Sequence, residues 1–501
     1  MTDYMHLKSG TDIRGVASDI FGLQIELTDE AIYDITSGFA DWLVSKICKR
    51  DSQINVAVGH DSRISAGRIK QSVIKALADW GFNVYDCGLC STPAMFMATV
   101  LKNMDASVQI TASHHPADRN GLKFFTKEGG LDSPDIVEVL RNAAKKRAVA
   151  GNGMVHKFNF MPEYAKFLRD IICKELGCSE DSKPLSGLKI IVDASNGAGG
   201  FYVNDVLKPL GADTTGSQFL EPDGMFPNHK PNPEDKSAME SISHATVRAS
   251  ADLGIIFDTD VDRAGCVDKN GNEINRNRLI ALAAAIALES IPGGTIVTDS
   301  VTSDGLKIYI EQELGGVHYR YRRGYRNVIN KAIELCNNGI NCPLAIETSG
   351  HAAFRENYFL DDGAYLITKI IIKLVKLRSS GLELEDLIGK LQQPAEESEI
   401  RFKINHEDFK SYGLNVIGEL EEFAKAKAGW KIADDNREGI RVSVGNGYGW
   451  FLLRMSVHDP ILPLNIESNL VGGVKEIAKS LVEFFAKFDQ LDITPLLKVA
   501  E

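Results

Sequence analysis

A strand, a polar loop, a helix and a second strand recur in that order three times along this chain, and no other feature constrains its fold as tightly. The first copy spans residues 54–88: the apolar run INVAVG, the loop HDSRISAG, the helical pattern RIKQSVIKALADWG and the run FNVYDCG. The second spans 188–216, with LKIIVDA, SNGAGG and FYVNDVLKPLGA followed by a less regular continuation. The third spans 294–321, with GTIVTD, SVTSDG, LKIYIEQELG and GVHYRY. Short β-branched runs predict strands, and apolar residues at 3.6-residue spacing before a glycine predict helices. A helix joining two strands through short loops implies parallel pairing, with helices packed on the sheet faces. Three related α/β domains are therefore expected.

The final hundred residues follow another rhythm. After Gln392-Gln393-Pro394 come the short runs EIRFKI, GWKIAD, GIRVSVG, GWFLLRMS and LPLNIES, with helices expected over 415–427 and near 471–488. That pattern predicts an α+β domain with an antiparallel sheet. A chain of 501 residues exceeds one ordinary core, so about three or four domains are expected. The expected division is 1–155, 156–272, 273–395 and 396–501, with 156–184 a helical connection into the second domain. A hydrophobic fraction of 44% suffices for large cores, and 25% charged residues cover a soluble surface. The net charge of −12 argues against nucleic acid or an anionic membrane as partner, while a local basic site could still take an anionic small molecule. No apolar run approaches the roughly 20 residues of a membrane span. The opening MTDYMHLKSGTDIRG has the character of neither a secretory signal nor a transit peptide, so a cytoplasmic protein is expected. Eight cysteines do not make a disulfide framework, and Cys87-Gly88-Leu89-Cys90 lacks a second pair at zinc-site spacing, so reduced structural thiols are expected.

Chemistry-bearing residues gather where apolar runs end. The run SVQI leads into Thr111-Ala112-Ser113-His114-His115-Pro116, then a turn and Leu122-Lys123. Ser113 is a candidate nucleophile with acid–base neighbours, although an isolated Ser-His pair more often marks an ordinary polar turn. The run LGIIF leads into Asp258-Thr259-Asp260-Val261-Asp262-Arg263. Three carboxylates at alternate positions call for a hard cation such as Mg²⁺, without which they would repel and raise one another's pKa. An EF-hand loop fails here, because Arg263 and Lys269 stand where glycine and glutamate are required. A haloacid-dehalogenase-type phosphatase with Asp258 as nucleophile survives as a minority reading, since Asp262 stands where Thr or Val is usual. The run PLAI leads into Glu347-Thr348-Ser349-Gly350-His351, a turn suited to a polyol and distinct from a GxSxG elbow. Candidate anion binders are Arg14, the run Arg322-Arg323-Gly324-Tyr325-Arg326, Arg441, and Arg454 with Ser456 and His458. The glycine-rich 196–200 loop lacks the last glycine of a dinucleotide site, having Phe201 and Tyr202 there.

In this order the motifs resemble the α-D-phosphohexomutase superfamily of phosphoglucomutases and phosphomannomutases. The resemblance runs from Ser9-Gly10-Thr11-Asp12-Ile13-Arg14-Gly15 through Val58-Gly59-His60-Asp61-Ser62-Arg63, the serine loop, Glu221-Pro222-Asp223-Gly224, the aspartate triplet, the 347–351 loop and Asp361-Asp362-Gly363 to the last domain. It implies four domains around a central cleft, the first three alike and the fourth closing over substrate. It implies that Ser113 is phosphorylated, passes its phosphoryl group to a hexose 1-phosphate, and recovers one from the resulting hexose 1,6-bisphosphate. Asp258, Asp260 and Asp262 would hold Mg²⁺ against phosphorylated Ser113, and Arg263 would support the metal loop and the reacting phosphate. His114, Lys123 and Arg14 would surround that phosphate, with Lys123 or His114 as the proton shuttle. Glu347 and Ser349 would hold sugar hydroxyls, with His351 assisting proton transfer. Arg454, Ser456 and His458 would hold the non-transferring phosphate, and Arg326 is a further substrate-binding candidate. Glucose phosphates are the favoured substrates and mannose phosphates next, for a monomer or homodimer.

The chain departs from the family pattern at three places. The phosphate loop has Val457 and His458 where glycine and threonine are usual, the third-domain loop has Gly324-Tyr325-Arg326 for Gly-His-Lys, and Ile346 replaces a glycine. Phosphoserine transfer is the safer expectation, with a hexose-1,6-bisphosphate synthase, a phosphoglucosamine mutase and a non-catalytic sugar-phosphate sensor as alternatives.

Overall fold

The computed structural model describes residues 3–501 apart from Cys48, Arg50, Asn446, Val457 and His458. The chain packs into two compact units, Met1–Ile286 with Ser349–Asp386, and Ala287–Thr348 with Leu387–Glu501.

In the first unit, the strands Asn55–His60, Asn83–Leu89 and Ala106–Ile110 pair in parallel, as the first repeat predicts. Arg119–Thr126 then runs antiparallel between Ala106–Ile110 and Asp12–Val16. This order sets the positions that matter. Ser113 lies in the connection between Ala106–Ile110 and Arg119–Thr126, Lys123 lies on the latter strand, and Arg14 stands opposite Gly121. Gly121 must lack a side chain, because a Cβ there would come 2.2 Å from the Ile13 carbonyl oxygen. Beneath the sheet Phe39 stacks on Phe124 with ring centroids 4.3 Å apart, amid Val58, Val108 and Leu122.

A second sheet orders Glu273–Ile274, Ala264–Asp268, Leu253–Phe257 and Ile190–Asp193. Ile190–Asp193 is parallel to Leu253–Phe257, which is antiparallel to Ala264–Asp268. The aspartate triplet is thus the turn of a hairpin, rising from a strand buried along its whole length. The second repeat's helix departs from expectation, being a widened turn over Tyr202–Leu207 followed by a tight one over Lys208–Leu210. Pro209 explains the change: it has no N–H for the Asp205 carbonyl, which instead accepts from Arg169 at 2.5 Å. The third repeat behaves similarly, its helix Asp304–Ile308 widening over Tyr309–Glu313.

Residues 156–184 contain the helix Met161–Leu176, which is tied into the first unit by a buried network. The Tyr164 hydroxyl lies 2.7 and 2.8 Å from the two oxygens of Asp362, which also accepts from Asn357 Nδ2 and the Tyr365 amide. Burial pushes the Asp362 carboxyl up to about 6 despite those donors. Tyr164→Phe is expected to destabilise the protein by about 1–3 kcal/mol, because a buried carboxylate loses its strongest donor. Urea unfolding followed by tryptophan fluorescence checks this, and an unchanged midpoint would contradict it.

In the second unit, Thr295–Thr298 lies parallel to both Val317–Arg320 and Leu344–Ile346. The last part forms a five-stranded antiparallel sheet in the order Glu396–Lys403, Ile461–Ser468, Gly449–Leu453, Ile440–Val444 and Trp430–Ile432. The helices Phe409–Ala426 and Gly473–Phe485 contribute to its core around Phe402, Phe451 and Phe485. The first of these begins six residues before the expected 415, because the Asp408 side chain accepts from the Ser411 amide and caps it. A closing helix, Thr494–Ala500, was not expected. No helix among the described residues is long and apolar enough to cross a membrane.

Charged side chains also bind within this unit. Arg320 Nη1 lies 2.6 Å from Asp435, and Arg441 Nη2 lies 2.9 Å from Asp304. Glu467, on Ile461–Ser468 opposite Trp450, is pushed up to about 7 by burial, with Arg441 opposing and Asp304 adding to the shift. A carboxyl raised on folding keeps its proton where the unfolded chain has lost it, so its contribution to stability falls as pH rises from about 4.5 to 7. Glu467→Gln is therefore expected to match the wild type near pH 4.5 and to exceed it above pH 7 by up to about 3 kcal/mol. Thermal midpoints measured across that range check the sign, and parallel profiles for the two proteins would refute it.

Candidate active site

Ser113 sits at φ +49°, a left-handed conformation uncommon outside glycine, at the end of the buried strand Ala106–Ile110. Its amide donates to Thr111 Oγ1 at 2.9 Å. Its hydroxyl donates to Asp258 Oδ2 at 2.9 Å and accepts from Arg263 Nη2 at 3.2 Å. His114 Nδ1 lies 3.4 Å from the same oxygen. The positive charge of Arg263, then burial, His115 and Arg14, hold His114 well below the ordinary imidazole value. Burial, then Arg14, Arg63 and Arg119, takes His115 down to about 3. These shifts keep both imidazoles neutral and make them weaker bases than free imidazole, and His114 Nδ1 is the ring nitrogen beside Ser113 Oγ. Arg14 pairs with Asp12 at 2.8 Å.

The facing hairpin turn carries a second strained residue, Val261 at φ +66°. A β-branched side chain in that region is a genuine outlier, and it brings three carboxylates to one side of the turn. Oxygens of Asp258, Asp260 and Asp262 lie within 4.8 Å of one another, and all three residues are buried. Lys123 Nζ bridges Asp260 at 3.1 Å and Asp262 at 2.5 Å. Arg263 Nε lies 3.1 Å from Asp258 Oδ2, and its Nη1 donates to Asn232 at the same distance. Burial, then Asp262, pushes Asp258 well above the usual carboxylate range. Burial acts the same way on Asp262, but Lys123 and Arg263 outweigh it and hold that carboxyl low. Asp260 Oδ1 and Asp262 Oδ1 remain buried with no hydrogen-bond partner among the described residues. Hard oxygen donors left open in a cluster of like charges fit a small divalent cation.

Ser349 and His351 join this unit. Ser349 Oγ lies 2.8 Å from His351 Nδ1, while His351 Nε2 lies 3.8 Å from Asp262 and 3.6 Å from Asp361. Burial, then Arg263 and Lys123, keeps His351 well below its ordinary value.

The remaining expected residues belong to the second unit. The buried Glu347 accepts from the Gly324 amide at 2.6 Å, just ahead of Arg326 in the first turn of Tyr325–Asn337. Arg454 is only 6% exposed, its Nη1 donates to the Met455 carbonyl at 3.3 Å, and its Nε has no hydrogen-bond partner among the described residues. A buried guanidinium with an open donor is suited to an anion. Ser456 Oγ accepts from the Asp459 amide at 3.2 Å. His458 lies outside the described residues.

Some residues around the site carried no separate assignment in the sequence. Thr92 donates its hydroxyl to Asp260 and its amide to the Asp260 carbonyl, and nothing local to Thr92 announces this. Arg63 binds the serine loop; its signal was its place in the 58–63 motif. Asp361 had a comparable signal in Asp361-Asp362-Gly363. The Cys87 and Cys90 thiols are buried.

The chain is similar to known proteins along most of its length. Models of phosphoglucomutase/phosphomannomutase α/β/α domains I, II and III match residues 7–149, 162–271 and 275–394. A phosphomannomutase/phosphoglucomutase of Pseudomonas syringae is 30% identical over 93% of this chain and 92% of its own length. A phosphoglucomutase of Neisseria meningitidis is 29% identical over 93% of this chain and 94% of its own. A solved family structure from Burkholderia thailandensis shares the fold, with a TM-score of 0.79 at 24% identity, covering 96% of this chain and 97% of that one.

Proposed function

The chain belongs to the phosphoglucomutase/phosphomannomutase family of enzymes, and on that premise we propose that it interconverts hexose 1-phosphates and hexose 6-phosphates through a phosphoserine at Ser113. The observation that carries this reading is the seat of Ser113 Oγ, between Asp258 at 2.9 Å and Arg263 at 3.2 Å on a strained backbone. In the proposed cycle the phosphoryl group leaves Ser113 Oγ, which takes up a proton, for a hydroxyl of the bound hexose monophosphate, whose own proton passes to a neutral base. The hexose 1,6-bisphosphate turns end for end, and its other phosphoryl group returns to Ser113.

Phosphoryl transfer demands positioning and charge stabilisation more than covalent help. Arg263, Lys123 and Arg14 supply positive charge, and Lys123 or His114 would move the proton. Asp258, Asp260 and Asp262 would hold Mg²⁺, which when bound neutralises charge on the phosphoryl oxygens. Glu347 and Ser349 would hold sugar hydroxyls with His351 beside them, and Arg454, Ser456 and His458 would take the other phosphate, with Arg326 a further substrate-binding candidate. In this reading the domains divided at residues 155, 272 and 395 carry in turn the phosphoserine loop, the metal loop, the sugar loop and the phosphate loop. Glucose phosphates come first and mannose phosphates next.

The test is a panel of glucose, mannose, glucosamine and N-acetylglucosamine 1-phosphates, each with and without its 1,6-bisphosphate. Interconversion of the glucose and mannose phosphates is expected, with the bisphosphate as activator. Stoichiometric bisphosphate release without monophosphate interconversion would sink the mutase reading in favour of a synthase.

A further inference from the structure

A loop that must hold its serine in a left-handed conformation leaves backbone carbonyls turned away from any sheet or helix ladder, and each needs a donor. In this protein one side chain supplies several of them. Arg63 Nη1 donates to the carbonyls of Pro116 at 2.7 Å and Arg119 at 2.8 Å. Its Nη2 donates to His115 at 2.6 Å and to Ser113 itself. The side chain is fully buried; its Nε lies 3.4 Å from the equally buried Asp61 Oδ2, and the Phe226 ring faces the guanidinium at 5.4 Å. Asp61 is anchored in turn, its amide donating to the Ile110 carbonyl at 3.1 Å where the serine loop begins.

We propose that Arg63 is a positioning residue for phosphoryl transfer: by gathering the carbonyls of Ser113, His115, Pro116 and Arg119 it fixes the backbone that turns Ser113 Oγ toward Asp258 and Arg263. The planar guanidinium is suited to this, because its N–H groups diverge in a rigid fork that reaches both ends of the loop. A lysine keeps the charge but offers three donors on one nitrogen and cannot span the same carbonyls. Burying a cation against neutral carbonyls is costly unless every bond is made, so the arrangement serves loop geometry more than stability. The inference rests on Ser113 as the phosphoryl carrier.

The experiment first loads the wild-type enzyme from ³²P-labelled glucose 1,6-bisphosphate and maps the phosphopeptide. Rapid-quench single turnovers then measure transfer to Ser113 in the wild type and in Arg63→Lys, alongside thermal midpoints and calorimetric affinity for glucose 1-phosphate. Transfer in Arg63→Lys is expected to slow by about 30- to 100-fold per folded molecule, with sugar-phosphate affinity within about threefold. A merely structural role would reduce the folded fraction and leave the rate of that fraction unchanged. Asp61→Asn retains the guanidinium but removes its anchor, and it should slow transfer by roughly five- to tenfold; it carries the test if the lysine variant does not fold. Wild-type transfer rates in the folded variants overturn the positioning role alone. Label on a residue other than Ser113 in the wild type overturns the underlying reading and the inference with it.

Discussion

Ser113→Ala is expected to lose turnover by at least about 10⁴-fold and to carry no phosphate after incubation with glucose 1,6-bisphosphate. The size follows from the chemistry: the hydroxyl oxygen is the atom that bears the group being moved. The fold should survive. Arg263 keeps its own bond to Asp258 when the hydroxyl goes. Alanine also meets no larger penalty than serine at φ +49°. A coupled assay for glucose 6-phosphate, with intact-mass detection of phosphate, measures both effects. Retained turnover with label on Asp258 would restore the aspartyl-phosphatase reading. Binding without turnover in the wild type would favour a sensor.

The second large effect concerns the aspartate cluster, where activity and stability should move in opposite directions. Asp258 is buried beside Asp262, and both burial and that neighbour raise its pKa well above the carboxylate range. A carboxyl raised on folding costs stability as pH rises from its unfolded value through its folded one, so near neutral pH the metal-free site works against the fold. Asp258→Asn removes that penalty at little change in shape. Arg263 loses one partner but retains Asn232 at 3.1 Å and Glu234 at 3.8 Å. The metal-free variant is therefore expected to exceed the wild type in stability at pH 7.5, while activity falls roughly 10³-fold. Mg²⁺ should raise the thermal midpoint of the wild type, by about 2.7 kcal/mol of stability at a hundredfold excess over Kd, and should do much less to the variant. A lower metal-free midpoint for Asp258→Asn, with an undiminished Mg²⁺ response, would show that this carboxylate is neither a frustrated charge nor a ligand.

The two effects differ in how far the sequence anticipated them. The aspartate triplet stands out because it follows directly on the apolar run LGIIF, and Ser113 because it stands beside two histidines with only Thr111 and Ala112 between it and the β-type run SVQI. Polar residues placed where a strand emerges from the core have few structural reasons to be there. The widened turn at Tyr202–Leu207 was less legible, since apolar spacing suggests a regular helix and only Pro209 hints at the lost bond. The helix Phe409–Ala426 starts earlier than its periodicity predicts, because the cap, Asp408, lies ahead of the apolar stripe.

What the sequence determined by itself was local: which runs become strands, which residues end them, and which carry charge or a nucleophile. These depend on side chains within a few positions of one another, and their spacing records them. Only the tertiary structure decided which distant groups meet. Arg63 reaches the Ser113 carbonyl across 50 residues, Thr92 reaches Asp260 across 168, and Tyr164 reaches Asp362 across 198. Backbone carbonyls bear no residue-specific mark, and a buried ion pair leaves no periodicity. Such contacts exist only after sheets and helices have packed, so the strained seat of Ser113 and the open oxygens of the aspartate turn are properties of the fold.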